Sequence, residues 1–152
     1  MSPPLKRVLF VCIGNSCRSQ MAEGFARTYG SDVLVAQSAG LSPAPMIAPL
    51  THKVMREKNI DLAKHYPKGV DPDVLRASEV LINMSGQKLM PFGPVHVEEW
   101  PVRDPMGESE EVFREVANDI EQRVMRLILN LRARQSRARR SGFDIGRSRP
   151  GK

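Results

Sequence analysis

Cysteine is scarce: the 152-residue chain has two, Cys12 and Cys17, five positions apart. That is no disulfide framework for a small secreted fold, so in a reducing compartment these thiols are candidates for chemistry rather than for stapling. Long hydrophobic runs are missing as well. Val8 to Ile13 and Val80 to Ile82 fall far short of the roughly 20 residues that cross a bilayer, which argues against a membrane partner. The start, Met-Ser-Pro-Pro-Leu-Lys-Arg, lacks the apolar stretch and cleavage site of a secretory signal, and a cytoplasmic protein is expected. Aromatic residues are few, 5% of the chain, while 41% hydrophobic and 26% charged residues are ordinary for a globular protein. Ligand-like spacing is absent among His52, His65 and His96 and between them and the cysteines. Each histidine therefore reads as a surface or packed residue, and neither a metal nor an organic cofactor is expected.

The net charge of +6 is unevenly placed. Residues 1–122 hold 13 Lys/Arg against 16 Asp/Glu, a net of −3, and residues 123–152 hold 10 against 1, a net of +9. The basic character thus belongs to an appendage. One folded domain over residues 1–134 and a basic, disordered tail over residues 135–152 are expected. A nucleic acid or an acidic partner could use that tail, although only Phe143 in it could stack on a base.

The hydrophobic pattern alternates strands and helices. Leu5 to Val11 has the length and apolar content of a buried strand, and a tight loop from Ile13 to Ser19 follows it. Met21, Ala22, Phe25, Ala26 and Tyr29 then recur at helical spacing until Gly30. A second strand is predicted from Asp32 to Gln37, ending at Ser38-Ala39-Gly40, and a helix from Ile47 to Lys58. A short helix from Asp71 to Ala77, a strand from Glu79 to Asn83 and a strand from Pro94 to Trp100 come next. In the last helix Val112, Val116, Ile120, Val124, Ile128 and Leu131 form one stripe, with Glu110 and Glu111 in the first turn. The order implies an α/β fold with an open, mainly parallel sheet.

Cys12 and Arg18 form a Cys-x5-Arg pattern that starts where a buried strand ends and finishes where a helix begins. Gly14 in between can adopt positive φ. A loop in this place turns backbone N–H groups inward at the positive end of a helix, which makes a cradle for phosphate. The same positive end would favour a thiolate at Cys12. Arg18 would supply a planar fork that grips two oxyanion oxygens. A Walker-type loop is excluded, because no Gly-Lys-Ser/Thr follows the glycine. Asp104 stands out among the acidic residues. It lies in the loop Pro101-Val102-Arg103-Asp104-Pro105-Met106-Gly107, beyond the carboxyl end of a strand, the sheet edge where the Cys12 loop must also be. It could equally be a turn former ahead of Pro105.

Residues 11–24, Val-Cys-Ile-Gly-Asn-Ser-Cys-Arg-Ser-Gln-Met-Ala-Glu-Gly, resemble the signature of the low-molecular-weight protein tyrosine phosphatase family, including its thioredoxin-linked arsenate reductase branch. The resemblance extends over residues 5–130 and includes Ser38-Ala39-Gly40 and Asp104-Pro105. It implies a three-layer sandwich with a four-stranded parallel sheet flanked by helices. It also implies Cys12 as nucleophile, Arg18 as oxyanion binder and Asp104 as general acid, within a phosphate-binding loop of Ile13, Gly14, Asn15, Ser16, Cys17 and Ser19. Asn15 would hold the loop shape, and the Ser19 hydroxyl would bond the thiolate.

Gln20 and Asp-Pro-Met-Gly look closer to the reductase branch, which typically has further redox cysteines where this chain has Met84 and Met90. A thioether neither attacks a Cys-arsenate adduct nor forms a disulfide. Phosphomonoester hydrolysis through a Cys12 thiophosphate, with Asp104 protonating the leaving oxygen and then activating water, needs nothing the chain lacks, and it is the first reading. Arsenate reduction completed by an external thiol such as glutathione or mycothiol is the alternative. Aromatic walls for phosphotyrosine are poorly supplied: Met106 stands beside the Asp-Pro loop, and Tyr66, Phe92 and Trp100 read better as packing residues. Cys17 is expected to protect Cys12 from over-oxidation by forming a disulfide with it.

Overall fold

The computed structural model describes residues 4–89 and 95–147, with side chains to residue 141. Strands β1 (Lys6–Cys12), β2 (Leu34–Gly40), β3 (Val80–Asn83) and β4 (His96–Glu99) form one sheet in the order β2-β1-β3-β4, with every neighbouring pair parallel. Helices α1 (Arg18–Tyr29), α2 (Pro49–Glu57), α3 (Pro72–Ala77) and α4 (Glu110–Arg147) complete the expected α/β sandwich. β1 is central because both of its faces are apolar. Val8, Phe10 and Cys12 join the large core beneath α1, α2 and α4, and Leu9 and Val11 join a smaller core with Val74 and Leu75 of α3.

The α4 stripe is buried as its spacing predicts, with Val116, Ile120, Val124, Ile128 and Leu131 in the core and Val112 packed against it. Phe113 and Ala117 widen that stripe. The helix continues to Arg147, where a disordered tail was expected from residue 135. Arg, Ala and Gln are strong helix formers, so the helix propagates beyond the last buried turn.

β2 is longer than predicted. Ser38, Ala39 and Gly40 pair with Phe10, Val11 and Cys12, so ladder hydrogen bonds override the weak strand propensity of small residues. This extension carries Ser38 and Gly40 to the carboxyl end of β1. The start of α2 moves from residue 47 to Pro49, because the Ala48 N–H is bonded to the Ser16 hydroxyl at 2.9 Å. Pro94, the expected start of β4, lies outside the described residues.

Candidate active site

The loop from Cys12 to Arg18 is shaped by what its carbonyls do. Those of Cys12, Ile13, Gly14 and Ser16 accept the N–H groups of Leu41, Ser42, Ala44 and Ala48, at 2.8–3.2 Å. With these oxygens engaged, the N–H groups of residues 14–18, just ahead of α1, donate to no described group and are left free to bind an anion. That is an anion cradle. Gly40 makes the close approach feasible, because a Cβ there would stand 2.7 Å from the Ile13 oxygen and 2.8 Å from the Asn15 nitrogen.

The left-handed residue of the loop is Asn15, at φ 51°, and not Gly14, where the sequence suggested it. Asparagine tolerates this conformation when its side chain is bonded locally, and here the amide is fully engaged. Asn15 Nδ2 donates to Ser19 Oγ at 2.7 Å and to Ser38 Oγ at 3.0 Å. Asn15 Oδ1 accepts from Gln20 Nε2 and from the Lys68 N–H, each at 3.0 Å. Ser19 Oγ lies 2.9 Å from Cys12 Sγ. Since Asn15 fills an acceptor site on Ser19 Oγ, the hydroxyl proton is left to donate to the sulfur.

Arg18 is only 5% exposed. One guanidinium nitrogen donates to the Met84 carbonyl and, at 3.2 Å, to the Val102 carbonyl. The other stands 3.5 Å from Asp104 Oδ2. The backbone just beyond β3 and β4 therefore holds the guanidinium in place. Asp104 Oδ1 accepts the Met106 N–H at 3.0 Å in a turn, and Oδ2 faces Arg18. Its half-exposed side chain reaches the site from the solvent side.

Ser16 ties the loop to the α2 region by donating to the Met46 carbonyl at 2.9 Å, and its own carbonyl accepts from Thr51 Oγ1 at 3.0 Å. Cys17 is buried at the start of α1, and burial pushes its thiol up to about 11. Met84 is buried and contributes only its carbonyl, while Met90 and Phe92 lie outside the described residues. Trp100 packs in the core, its ring 5.9 Å from Phe10. Tyr66 is exposed beside His65 and Pro67, and Met46 and Met106 are exposed as well. Among the described residues no cluster of three His, Cys, Asp or Glu could hold a metal ion.

Sequence reasoning missed the support behind the loop. Gln20 and Glu23 lay within the quoted signature without a role, and Ser38 lay within a noted triplet. His65 and Lys68 carried no signal, since only folding brings His65 to Gln20 and Lys68 to Asn15. His65 Nδ1 stands 3.0 Å from Gln20 Oε1. Burial, ahead of the opposing charge of Glu23, holds the imidazole below its ordinary range.

Comparison with known proteins finds similarity over most of the chain. The chain is 37% identical over 131 residues to an arsenate reductase of Bacillus licheniformis, covering 80% of this chain and 94% of that protein. It is 36% identical over 131 residues to a glutaredoxin arsenate reductase of Synechocystis, covering 84% and 99%. A solved arsenate reductase in a phosphate-binding state superposes with a TM-score of 0.73 at 34% identity, over 84% of this chain and 99% of that one. The family model for low molecular weight phosphotyrosine protein phosphatase matches residues 7–137. With 131 of 152 residues matched by the family model, the chain belongs to the low molecular weight phosphotyrosine protein phosphatase family, whose fold its arsenate reductase relatives share.

Proposed function

We propose that this protein reduces arsenate through a covalent Cys12 adduct and takes its electrons from an external thiol. The observation that carries the reading is the similarity over most of the chain to arsenate reductases, one of them described as a glutaredoxin enzyme. Arsenate has the shape and charge the cradle suits. The Cys12 thiolate attacks arsenic, an As–O bond breaks, and Asp104 gives the departing oxygen its proton. Arg18 and the loop N–H groups hold the remaining oxygens.

Release of arsenite needs a second thiolate. A thiolate attacks Cys12 sulfur, the S–As electron pair passes to arsenic, and As(V) becomes As(III), leaving Cys12 in a disulfide. Cys17 is the only other cysteine of the chain, and with its thiol raised to about 11 it attacks only slowly at neutral pH. The attacking thiol therefore comes from outside, as glutathione or mycothiol. A second thiol equivalent, presented by a glutaredoxin-type protein, then frees Cys12.

A second reading is favoured by one specific observation, the Ser19 hydroxyl at Cys12 Sγ together with Asp104 facing Arg18, because phosphoester hydrolysis by these residues would require no further thiol. Cys12 would attack phosphorus while Asp104 protonates the ester oxygen, and a water activated by Asp104 would hydrolyse the thiophosphate. NADPH-coupled arsenate reduction with glutathione and glutaredoxin, run beside p-nitrophenyl phosphate hydrolysis, tests both. Thiol-dependent arsenate turnover that Cys12→Ser abolishes is expected. Phosphate ester hydrolysis without arsenate turnover overturns the first reading in favour of the second. Brisk turnover with thioredoxin and its reductase alone would contradict the external small-thiol step.

A further inference from the structure

Behind the cradle lies an ammonium group that neither chemistry uses. Lys68, in the segment between α2 and α3, donates its backbone N–H to Asn15 Oδ1 at 3.0 Å. Its Nζ reaches Asn15 Oδ1 at 3.4 Å and Ser38 Oγ at 3.2 Å, and stands 3.7 Å from Glu23 Oε1. A cavity of about 450 Å³ opens on this cluster, lined in part by Glu23, Arg27, Ser38, Lys64, His65 and Lys68.

Charge accounting separates Lys68 from mere neutralisation. The buried Glu23 carboxylate already has Arg27 Nε at 3.1 Å, accepts the Ser38 hydroxyl, and faces His65 Nδ1 at 3.5 Å. Lys68 thus brings a second full positive charge to a site where one carboxylate is already paired. Desolvation and Arg27 push this ammonium below its ordinary range, and Glu23 opposes them. The Tyr66 ring lies 5.7 Å from Nζ on the open side.

The surplus charge meets Asn15. An amide whose oxygen accepts from a cation becomes a stronger donor at its nitrogen, and hydrogen bonds in series polarise one another. Asn15 Nδ2 donates to Ser19 Oγ, and Ser19 faces Cys12 Sγ. We infer that Lys68 is a positioning residue for the Cys12 chemistry, polarising and orienting the Asn15 amide so that the Ser19 hydroxyl stays directed at the sulfur. This goes beyond the choice between arsenate and phosphate ester and rests only on Cys12 as the nucleophile.

The test uses Lys68→Ala and Lys68→Gln in the full chain, with Lys64→Ala as the control from the same cavity. Three quantities are read: Cys12 alkylation by iodoacetamide at neutral pH, followed by mass spectrometry; kcat and KM on whichever substrate the wild type turns over; and the response of each to added methylammonium. Losing a charge-assisted bond in the series should lower alkylation and kcat by about tenfold or more, with KM less affected. Methylammonium should restore both in Lys68→Ala and leave wild type and Lys64→Ala unchanged. Lys68→Gln, which keeps a donor but no charge, should fall between and decides the matter if the alanine variant does not fold. Wild-type alkylation in folded variants, or a loss of turnover that methylammonium does not relieve, would reduce Lys68 to lining the cavity and overturn the proposal. If the wild type turned over neither substrate, the functional reading would fail while alkylation still judged Lys68.

Discussion

Asp104 has one oxygen fixed by the Met106 N–H and the other facing Arg18, so its carboxyl is oriented before substrate arrives. A general acid matters most where the leaving oxygen most needs a proton. Asp104→Ala should therefore cost about 10² to 10⁴ in rate on esters with poor leaving groups and much less on activated ones. Leaving-group dependence of kcat reads this directly, and equal losses across the series would assign the acid elsewhere. Cys17 makes a different prediction. Mild peroxide should convert Cys12 to a sulfenic acid that Cys17 captures as a disulfide, releasing water. With the Cys17 thiol at about 11, capture should quicken as pH rises from 7 to 9, because more thiolate is available to attack. Mass spectrometry at each pH follows it, and sulfinic acid at Cys12 with Cys17 free throughout would refute protection by Cys17.

At the scale of elements, the end of β2 and the face of α4 do separate work. Gly40 lies under the backbone of Ile13, Gly14 and Asn15, where an added Cβ finds no flexible side chain to displace. Gly40→Ala should destabilise by about 1–3 kcal/mol through overpacking and lose oxyanion binding as well, measured by denaturant unfolding and by phosphate protection of Cys12. Ile120 is fully buried on α4, far along the chain from the loop. Ile120→Ala should cost about 2–5 kcal/mol of stability and leave kcat of the folded fraction unchanged. A variant that lost kcat as heavily as stability would couple α4 to the site.

On the scale of the molecule, the basic end and the acid side of the pH range are open to test. Among the residues whose side chains are described, the last buried position of α4 is Leu131, and Arg132 clamps Asp32 through two hydrogen bonds of 2.9 Å. Ending the chain after Arg134 removes helix that has no described core contact, so melting temperature and turnover should persist. Any affinity for polyanions should fall. His65 is held below its ordinary value of 6.5 by burial. The unfolded chain then binds a proton more readily than the folded one, so stability is complete above pH 6.5 and declines as pH falls through the folded value. His65→Gln should flatten that part of the stability profile, measured by denaturant midpoints between pH 7 and 5.

The amino-acid sequence was enough for β1, α1 and the core stripe of α4, because their apolar periodicity states which face is buried whatever the rest of the chain does. Cys12, Arg18 and Ser19 were legible for a related reason: they lie within eight residues, so strand, loop and helix dipole place them locally. Asp104 was legible through sheet topology, since every strand of a parallel sheet ends at the same edge. Other features were settled only by tertiary structure. The positive φ went to Asn15 instead of Gly14, because ladder pairing extends β2 to bring Ser38 beneath the loop and a distant segment delivers Lys68 to the same amide. Lys68 and His65 have no local signature. Their place depends on hydrogen bonds spanning 53 and 45 residues of chain, and contacts of that reach form only when the whole sheet and its helices close around them.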